Sequence, residues 1–355
     1  LDRVAGCFSF DTFNMYISQE YQDLKNFSCI IVCNPMDMKF GDEEEKRVIV
    51  EMSEFLNSFA ESKLFRLDNN DFALIYDKKE HEMNEIESAV NLDVIRQRFS
   101  KTWGNKVNVF TRFLYVPDGR IVSSAEEFVE VYERNRDKFA ADENTRILDE
   151  TASQDIKEFR QMVLEIRDAL DSDRIEVFYQ PIYSIDTGRF VSAEALARIR
   201  GRDGKLVMPG KFIPVAEETG LIEQIGERVF SKVCTCITEN DLKSKGVDYV
   251  EVNLSVAQCE NPLLSSTYDS IMKDAKVRPK EINLEITESS TLNHRHILLD
   301  NMNKLMNIGC NFSLDDFGTG ESNLNYIVDM PVNIVKFDRS MVQDYFSNEK
   351  AEVVM

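Results

Sequence analysis

Apolar and polar positions alternate with two different periods along the first 140 residues. The apolar runs "FSCIIVC" (27–33) and "VNVFTRFLYV" (107–116) predict β-strands, and "KLFRLDNNDFALIYD" (63–77) predicts a hairpin around a polar centre. Helical spacing over 45–62 and 123–135 predicts two helices, the second of which begins after a serine cap. This part of the chain is therefore expected to form an α+β domain.

A polar stretch over 137–155 predicts a linker, and the helix that follows it has apolar residues along one side. We therefore divide the chain into a first domain (1–140), a linker with a connecting helix (141–174) and a second domain (175–355).

The second domain alternates short apolar runs with helical segments, one of which covers 209–237. The runs are "IEVFYQPIYSI", "RFVSAEALARI", "VDYVEVNLS", "EINLEITES", "CNFSLDDF" and "VNIVKFD". This alternation predicts an α/β fold with a parallel sheet, either a barrel or a doubly wound sheet. We interpret the strands as near-continuously apolar, as expected for strands that are covered on both faces.

Metal-compatible side chains recur at or near the carboxyl ends of five successive predicted strands. They are Glu194, Asn253, Glu285 with Glu288, Asp315 with Asp316, and Lys336 with Asp338. In a (β/α) barrel these ends face one mouth, so the side chains are expected to lie together. Adjacent carboxylates such as Asp315 and Asp316 repel each other unless a cation lies between them.

Oxygen ligands without histidine or cysteine favour Mg²⁺ or Mn²⁺ over Zn²⁺. A site with two such ions suits phosphoryl displacement, and Lys336 could hold the attacking water. Each residue also has an ordinary structural explanation. A glutamate after a strand is typically solvated, the two aspartates before a glycine can be a turn, Asn253 can cap a helix, and Lys336 can extend along apolar surface. Their shared position on five strands favours one site.

The composition excludes some classes of function. A net charge of -21 argues against a nucleic-acid polymer as the partner, because such a surface needs clustered Lys and Arg. Seven cysteines without a CxxC pair predict buried free thiols in a reducing, cytoplasmic setting. With three histidines, a histidine-rich zinc site is not expected. We find no signal peptide and no apolar run of bilayer length, and a membrane tether upstream of Leu1 stays open.

The second domain resembles an EAL domain, the cyclic-di-GMP phosphodiesterase family. The namesake Glu194-Ala195-Leu196 stands in "SAEALARI", and six further motifs follow the family's order. These are "FYQPI" (178–182), "KFIPVAEETGLI" (211–222), "VNLS" (252–255), "LEITES" (284–289), "DDFGTG" (315–320) and "KFDRS" (336–340).

The resemblance implies a TIM-like barrel that cuts one phosphodiester of cyclic-di-GMP to give pGpG, with Mg²⁺ or Mn²⁺, two ions per site. The residues that match the family's metal ligands are Glu194, Asn253, Glu285, Asp315 and Asp316. The residues that the resemblance makes catalytic are Lys336, near the nucleophilic water, Glu285, Asp316 and Glu288, which would anchor the DDFGTG loop. Gln180, Arg198 and Asp338 match substrate contacts, with Arg198 aimed at a phosphate.

The chain departs from the family pattern at Ile199 and at Glu321-Ser322, where the family usually has an aromatic residue and Tyr-Ser. The resemblance also implies a seventh strand with another catalytic glutamate, and an eighth strand, neither of which is found up to Met355. A homodimer through the EAL domain is a further expectation from the family.

The first domain resembles a degenerate GGDEF (diguanylate cyclase) domain, in which the signature falls on Asp68-Asn69-Asn70-Asp71-Phe72. Both glycines are missing and Asn70 replaces the central aspartate, so the backbone cannot approach a nucleotide phosphate in the family's way. We expect a regulatory domain without cyclase activity, and GTP binding stays open. The alternative function for the whole chain is a catalytically silent cyclic-di-GMP receptor that signals through the helix at 155–172.

Overall fold

The computed structural model describes residues 1–23, 27–33, 42–58, 62–77, 97, 101, 112–139, 143, 145–287, 295–318 and 330–347. The chain divides into two compact units, Leu1–Glu158 and Phe159–Met355. The division falls inside the helix Glu150–Asp171.

The first unit is a five-stranded sheet with helices. Its elements are α1 (Phe10–Gln22), β1 (Phe27–Cys33), α2 (Asp42–Asn57), β2 (Ser62–Arg66), β3 (Phe72–Asp77), β4 (Arg112–Val116), α3 (Ala125–Arg136), β5 (Thr145–Ile147) and the first part of α4 (Glu150–Asp171), which continues into the second unit. The strand order is β2-β3-β1-β4-β5. The predicted hairpin is confirmed, because β2 and β3 pair antiparallel.

The sheet of the first unit is covered on both faces. All seven residues of the central strand β1 are buried. Because successive side chains of a strand point to opposite faces, β1 contributes to two cores. Ile31 belongs to the core of Phe13 and Phe128, whereas Ile30 belongs to that of Met52. This explains why the run "FSCIIVC" is apolar throughout.

The polar centre of the β2–β3 hairpin is a short 3₁₀ turn, Asp68–Asn70, followed by the fully buried Asp71. The hydroxyl of Tyr132 donates to Asp71 Oδ2 at 2.5 Å, and Arg136 Nε donates to the same oxygen at 2.7 Å. Both partners lie on α3. A buried carboxylate needs such partners to offset its lost hydration, so Asp71 fastens the hairpin to this helix.

The polar stretch 137–155, which we expected to be a linker, is partly structured. It contains β5, which pairs parallel with β4, and the beginning of α4 at Glu150. The strand predicted over 107–116 is described only from Arg112.

The second unit is a larger mixed α/β unit. Its elements are β6 (Ile175–Ser184), β7 (Arg189–Arg200), β8 (Leu206–Val207), α5 (Pro209–Glu218), α6 (Ile222–Glu239), β9 (Tyr249–Asn253), α7 (Val256–Cys259), α8 (Leu264–Ala275), β10 (Ile282–Thr287), α9 (Arg295–Ile308), β11 (Asn311–Phe317), β12 (Ile334–Phe337) and α10 (Arg339–Ser347). The strand order is β12-β11-β10-β9-β7-β6, and β8 pairs with β7.

The sheet of this unit is parallel from β7 to β12. The first pair, however, is an antiparallel hairpin of β6 and β7, so the prediction of a wholly parallel sheet is wrong at this edge. Within the described residues β6 and β12 lie at the two ends of the strand order, and no closed barrel is seen there.

The strands of the second unit have one apolar and one polar face. In β10 Ile282, Leu284 and Ile286 join the core that includes Phe230 of α6 and Tyr268 of α8, whose rings stack 3.9 Å apart. The alternate residues, such as Glu285, are polar. The prediction of near-continuously apolar strands is therefore wrong for this sheet, because the apolar side chains of β10 lie on one face and buried polar side chains lie on the other.

Three other sequence expectations are settled by the fold. The single helix predicted over 209–237 is two helices, α5 and α6, and Gly220 between them has the left-handed φ of +71°. All seven cysteines are free, as predicted, and six of them are buried. None of the helices that the structure describes combines the length and apolarity needed to cross a bilayer.

Candidate active site

The parallel register of β7, β9, β10 and β11 brings polar residues side by side. Glu194 is level with Glu251, and Asn253 is level with Glu285. On the next pair of strands, Thr287 is level with Asp315. Residues that are level on neighbouring strands point to the same face of a sheet. The polar face of the second unit therefore gathers carboxylates from four strands.

The ammonium group of Lys336, on β12, lies among four of these carboxylates. It donates a hydrogen bond to Glu285 Oε1. The ion-pair distances from Lys336 Nζ are 3.4 Å to Glu251 Oε2, 3.5 Å to Glu194 Oε2 and 3.7 Å to Asp315 Oδ1. Glu285 and Glu251 are 1% and 2% exposed, so solvent screens their charges little.

Burial and crowding shift the pKa values of these groups. Burial is the main cause that raises the pKa of Glu285 to about 8, against the opposing effect of Lys336. Burial also raises the pKa of Glu251. Desolvation alone would lower the pKa of Lys336, but its hydrogen bond to Glu285 and the surrounding carboxylates raise it. Among the described residues, the carboxylates of the site thus carry more negative charge than Lys336 offsets.

The donor set fits a hard divalent cation. Glu194, Glu251 and Glu285 offer oxygens that all lie within 4.8 Å of one another. Glu285 Oε2 is buried and lacks a hydrogen-bond partner in the described part of the chain. Asn253 donates from Nδ2 to Glu194 Oε1 at 3.0 Å, which brings a further oxygen-bearing group to the cluster. Oxygen ligands of this kind suit Mg²⁺ or Mn²⁺.

The two adjacent aspartates lie at an irregular end of β11. Asp315 is half-buried near Lys336, whereas Asp316 is exposed and has the left-handed φ of +55°. The pairing of β11 with β12 also shifts register between Leu314 and Phe317. Although the residue as a whole is exposed, its carboxyl loses part of its hydration, and this desolvation together with the charges of Asp315 and Asp338 raises the pKa of Asp316. Asp316 is therefore electrostatically part of the same cluster.

The structure describes all three predicted substrate contacts. Gln180 is exposed on β6, level with Glu194. Arg198 is half-buried on β7, with its guanidinium 5.8 Å from the centre of the Phe178 ring. Asp338 caps α10, because its Oδ1 accepts from the backbone N–H of Ser340 at 2.7 Å.

One placement differs from the sequence expectation. Glu194 lies in the middle of β7, whereas Glu285 lies two residues before the end of β10, near its carboxyl end as expected. Glu288 and the last two residues of the DDFGTG motif, Thr319 and Gly320, lie outside the described residues.

A cavity of about 530 Å³ adjoins the cluster. Its lining includes Glu194, Asn253 and Glu285 on the strands, and apolar side chains such as Leu196 and Ile225. A cleft with an apolar wall and a few convergent polar groups is the usual form of a small-molecule site.

Sequence reasoning missed Glu251. The residue was included in an apolar run, "VDYVEVNLS", and was not considered as a site residue. The signal was the alternation within β9, where Val250 and Val252 are buried in the core and Glu251 shares the face of Asn253. Once a polar face is assumed, every second residue of this strand becomes a candidate.

Comparison with known protein families matches residues 163–355 to the EAL domain. Among curated proteins, the signaling protein YkoW of Bacillus subtilis (strain 168) is 34% identical over 200 residues, which cover 56% of this chain and 24% of YkoW. The bifunctional diguanylate cyclase/cyclic di-GMP phosphodiesterase MucR of Pseudomonas aeruginosa is 24% identical over 352 residues, 94% of this chain and 50% of MucR. The chain thus spans half or less of the length of these two relatives.

Among solved structures, the PaMucR phosphodiesterase in complex with c-di-GMP superposes with a TM-score of 0.50 and 30% sequence identity. The match covers 55% of this chain and 78% of that one. The similarity concerns a part of the chain that is about the size of the second unit.

Proposed function

Because the chain belongs to the EAL domain family, we propose that it is a phosphodiesterase that hydrolyses cyclic di-GMP to linear pGpG with Mg²⁺ or Mn²⁺. The observation that carries the proposal is the cluster of Glu194, Glu285 and Asp315 around Lys336, beside a cavity that could admit a small ligand. The relatives support the substrate, since one is named a cyclic di-GMP phosphodiesterase and a similar structure is a c-di-GMP complex.

The residues we propose as metal ligands are Glu194, Asn253, Glu285, Asp315 and Asp316. Two divalent ions bound there would supply an activated water and would neutralise charge on the scissile phosphate. The chain's own part is to hold these oxygens in place, which the strands of a sheet do more rigidly than loops would. We propose that Lys336 donates a hydrogen bond to the attacking water and orients it.

Substrate binding would use the cavity and the residues beside it. The planar guanidinium group of Arg198 could pair with a phosphate in two parallel hydrogen bonds. Gln180 and Asp338 offer polar contacts for the rest of the nucleotide. Glu288, as the anchor of the DDFGTG loop, stays a prediction.

For the first unit we propose a regulatory, non-catalytic role. MucR, which aligns with 94% of this chain, carries a diguanylate cyclase activity in its name, which supports a GGDEF-like origin. In this chain Asp71 is engaged with Tyr132 and Arg136, and neither glycine of that family's signature is present. Binding of GTP, a homodimer through the second unit, a cytoplasmic location and a membrane tether all stay predictions.

The test is turnover of cyclic di-GMP by the full-length protein with Mg²⁺ or Mn²⁺, with pGpG measured by chromatography. We compare the wild type with Asp315→Asn and with Asp186→Asn, an equally conservative change at an exposed position. Metal-dependent pGpG formation that survives in Asp186→Asn and falls at least about 100-fold in Asp315→Asn supports the proposal.

Tight binding of cyclic di-GMP by calorimetry without turnover would refute hydrolysis and favour a receptor. Absence of both turnover and binding would refute both functions.

A further inference from the structure

Glu251 is the one carboxylate of the cluster that the proposed function does not use. It lies on β9 and is 2% exposed. Its Oε2 is 3.4 Å from Lys336 Nζ, and its Oε1 accepts from Asn283 Nδ2 at 3.3 Å. The same Asn283 nitrogen donates to Ser313 Oγ at 2.9 Å. Neighbouring strands therefore hold Glu251 in place by side-chain hydrogen bonds.

Metal binding changes what the other carboxylates can offer to Lys336. Within the described residues, Nζ contacts the carboxylates of Glu194, Glu251, Glu285 and Asp315. Three of these four are proposed metal ligands. An oxygen that coordinates a metal has less electron density to give to an ammonium group, so these three contacts weaken when the site is loaded. Because Glu251 is not a proposed metal ligand, its contact with Lys336 can persist when the site is loaded.

The charges lead to the same conclusion. Two divalent cations would balance the charges of Glu194, Glu285, Asp315 and Asp316. Lys336 would then face two like-charged ions, and like charges at such short range repel strongly in a buried site. Glu251 supplies the negative charge that balances the ammonium group and holds it next to the metals.

We propose that Glu251 is a positioning residue that retains Lys336 in the loaded site, where the lysine orients the attacking water. This inference rests on the proposed phosphodiesterase activity. Glu251 acts through Lys336 and touches neither substrate nor water.

The competing explanation is that Glu251 is itself a metal ligand, since its oxygens lie within 4.8 Å of those of Glu194 and Glu285. The contacts of Glu251 argue against this, because one carboxylate oxygen already accepts from Asn283 and the other lies 3.4 Å from Lys336 Nζ. The register does not separate the two explanations, since Glu251 is level both with Asn283 and with the proposed ligand Glu194.

The kinetic test uses Glu251→Gln, Lys336→Met and the double variant in the full-length protein at saturating Mn²⁺. Glu251→Gln should lower kcat about tenfold or more, as loss of an orienting partner typically does, and leave KM within about twofold. The same substitution should have no further effect on kcat when Lys336 is already Met. Glu239→Gln, an exposed change on α6, is the matched control.

An equal loss of kcat with and without Lys336 would overturn the proposal, because Glu251 would then act independently of the lysine. Calorimetric titration with Mn²⁺ gives a second readout. Glu251→Gln should bind as many ions as the wild type, whereas loss of one ion would make Glu251 a ligand and also overturn the proposal.

A crystal structure of the Mn²⁺-loaded wild type decides the matter without activity and without any variant. We expect Lys336 Nζ within hydrogen-bond distance of Glu251 and no longer bonded to Glu285. Coordination of Mn²⁺ by Glu251, or a lysine that has left Glu251, would refute the inference. If the wild type does not hydrolyse cyclic di-GMP, the proposed function fails, and this structure still tests the role of Glu251.

Discussion

Metal binding is expected to release a proton from Glu285. In the metal-free site burial raises the pKa of this carboxyl to about 8, and the nearby charges of Asp315 and Glu194 contribute in the same direction. A carboxyl group must lose its proton to coordinate a metal ion. Below about pH 8 the metal therefore competes with a proton, and its apparent affinity falls as the pH is lowered.

The size of the effect follows from the pKa. With a pKa of about 8, competition reduces the apparent affinity about 100-fold at pH 6 and about twofold at pH 8. The affinity for Mn²⁺ should therefore rise about 50-fold over this range, which corresponds to about 2 kcal/mol.

Isothermal titration calorimetry with Mn²⁺ at about pH 6, 7 and 8 measures this rise. Repeating each titration in a second buffer of different ionisation enthalpy counts the protons released. We expect nearly one proton at the lowest pH and about half a proton at the highest, because half of the carboxyl is then already ionised. An affinity that changes less than about threefold, without proton release, would show that Glu285 is ionised throughout and would refute the reasoning.

The same shift has a consequence for stability. The folded metal-free protein holds the Glu285 proton more tightly than the unfolded chain does, since the ordinary pKa is 4.5. The contribution of this proton to the free energy of unfolding is complete below pH 4.5 and is lost as the pH rises to about 8. Saturating Mn²⁺ should remove this loss, and thermal unfolding of the second unit with and without metal measures it.

Three further predictions concern the packing of the two units. Arg136→Met leaves the buried Asp71 without its cation and should cost the first unit about 3 kcal/mol, measured by hydrogen exchange of β3. Gly226→Ala should destabilise the second unit by about 1–2 kcal/mol in a thermal melt, because the new Cβ would lie 1.8 Å from Nε2 of the buried Gln258. Cys236 should react first with a thiol reagent in the native protein, since the other six thiols are buried.

The two predictions of stability have matched controls. Arg47→Met breaks an exposed pair with Glu51 on α2 and should cost less than about 0.5 kcal/mol. Gly210→Ala on α5 meets no atom within 4 Å and should be neutral or slightly stabilising. A similar loss for both arginine variants, a stabilising Gly226→Ala or simultaneous reaction of all thiols would contradict the packing described above.

The sequence located most of the candidate site because the site depends on a simple rule. The carboxyl ends of parallel strands lie together, so the order of strands and polar residues along the chain was enough to group Glu194, Asn253, Glu285, Asp315 and Lys336. The individual strands were also predictable from their apolar runs. The antiparallel start of the sheet at β6 was not, because an apolar run does not reveal the direction of its partner.

The roles of the less regular positions were harder to predict. The sequence did not reveal that the carboxylate of Asp338 caps α10, and its role as a substrate contact stays a prediction. The break between α5 and α6 was hidden in a continuous helical pattern, although Gly220 marks it. In both cases a local hydrogen bond or a backbone angle, which periodicity does not encode, decides the structure.

Buried polar atoms ordinarily have hydrogen-bond partners, but several on the polar face of the second sheet have none in the part of the chain that the structure describes. This departure connects the fold to the candidate site. Ser192 Oγ, Asn283 Oδ1 and Glu285 Oε2 are buried there and lack a hydrogen bond among the described residues. Unpaired polar atoms and excess negative charge destabilise a folded protein. Helices packed on the outer, apolar face offset that cost. A divalent cation would relieve the cost on the inner face, so the feature that weakens the metal-free sheet is the one that would make it bind metal.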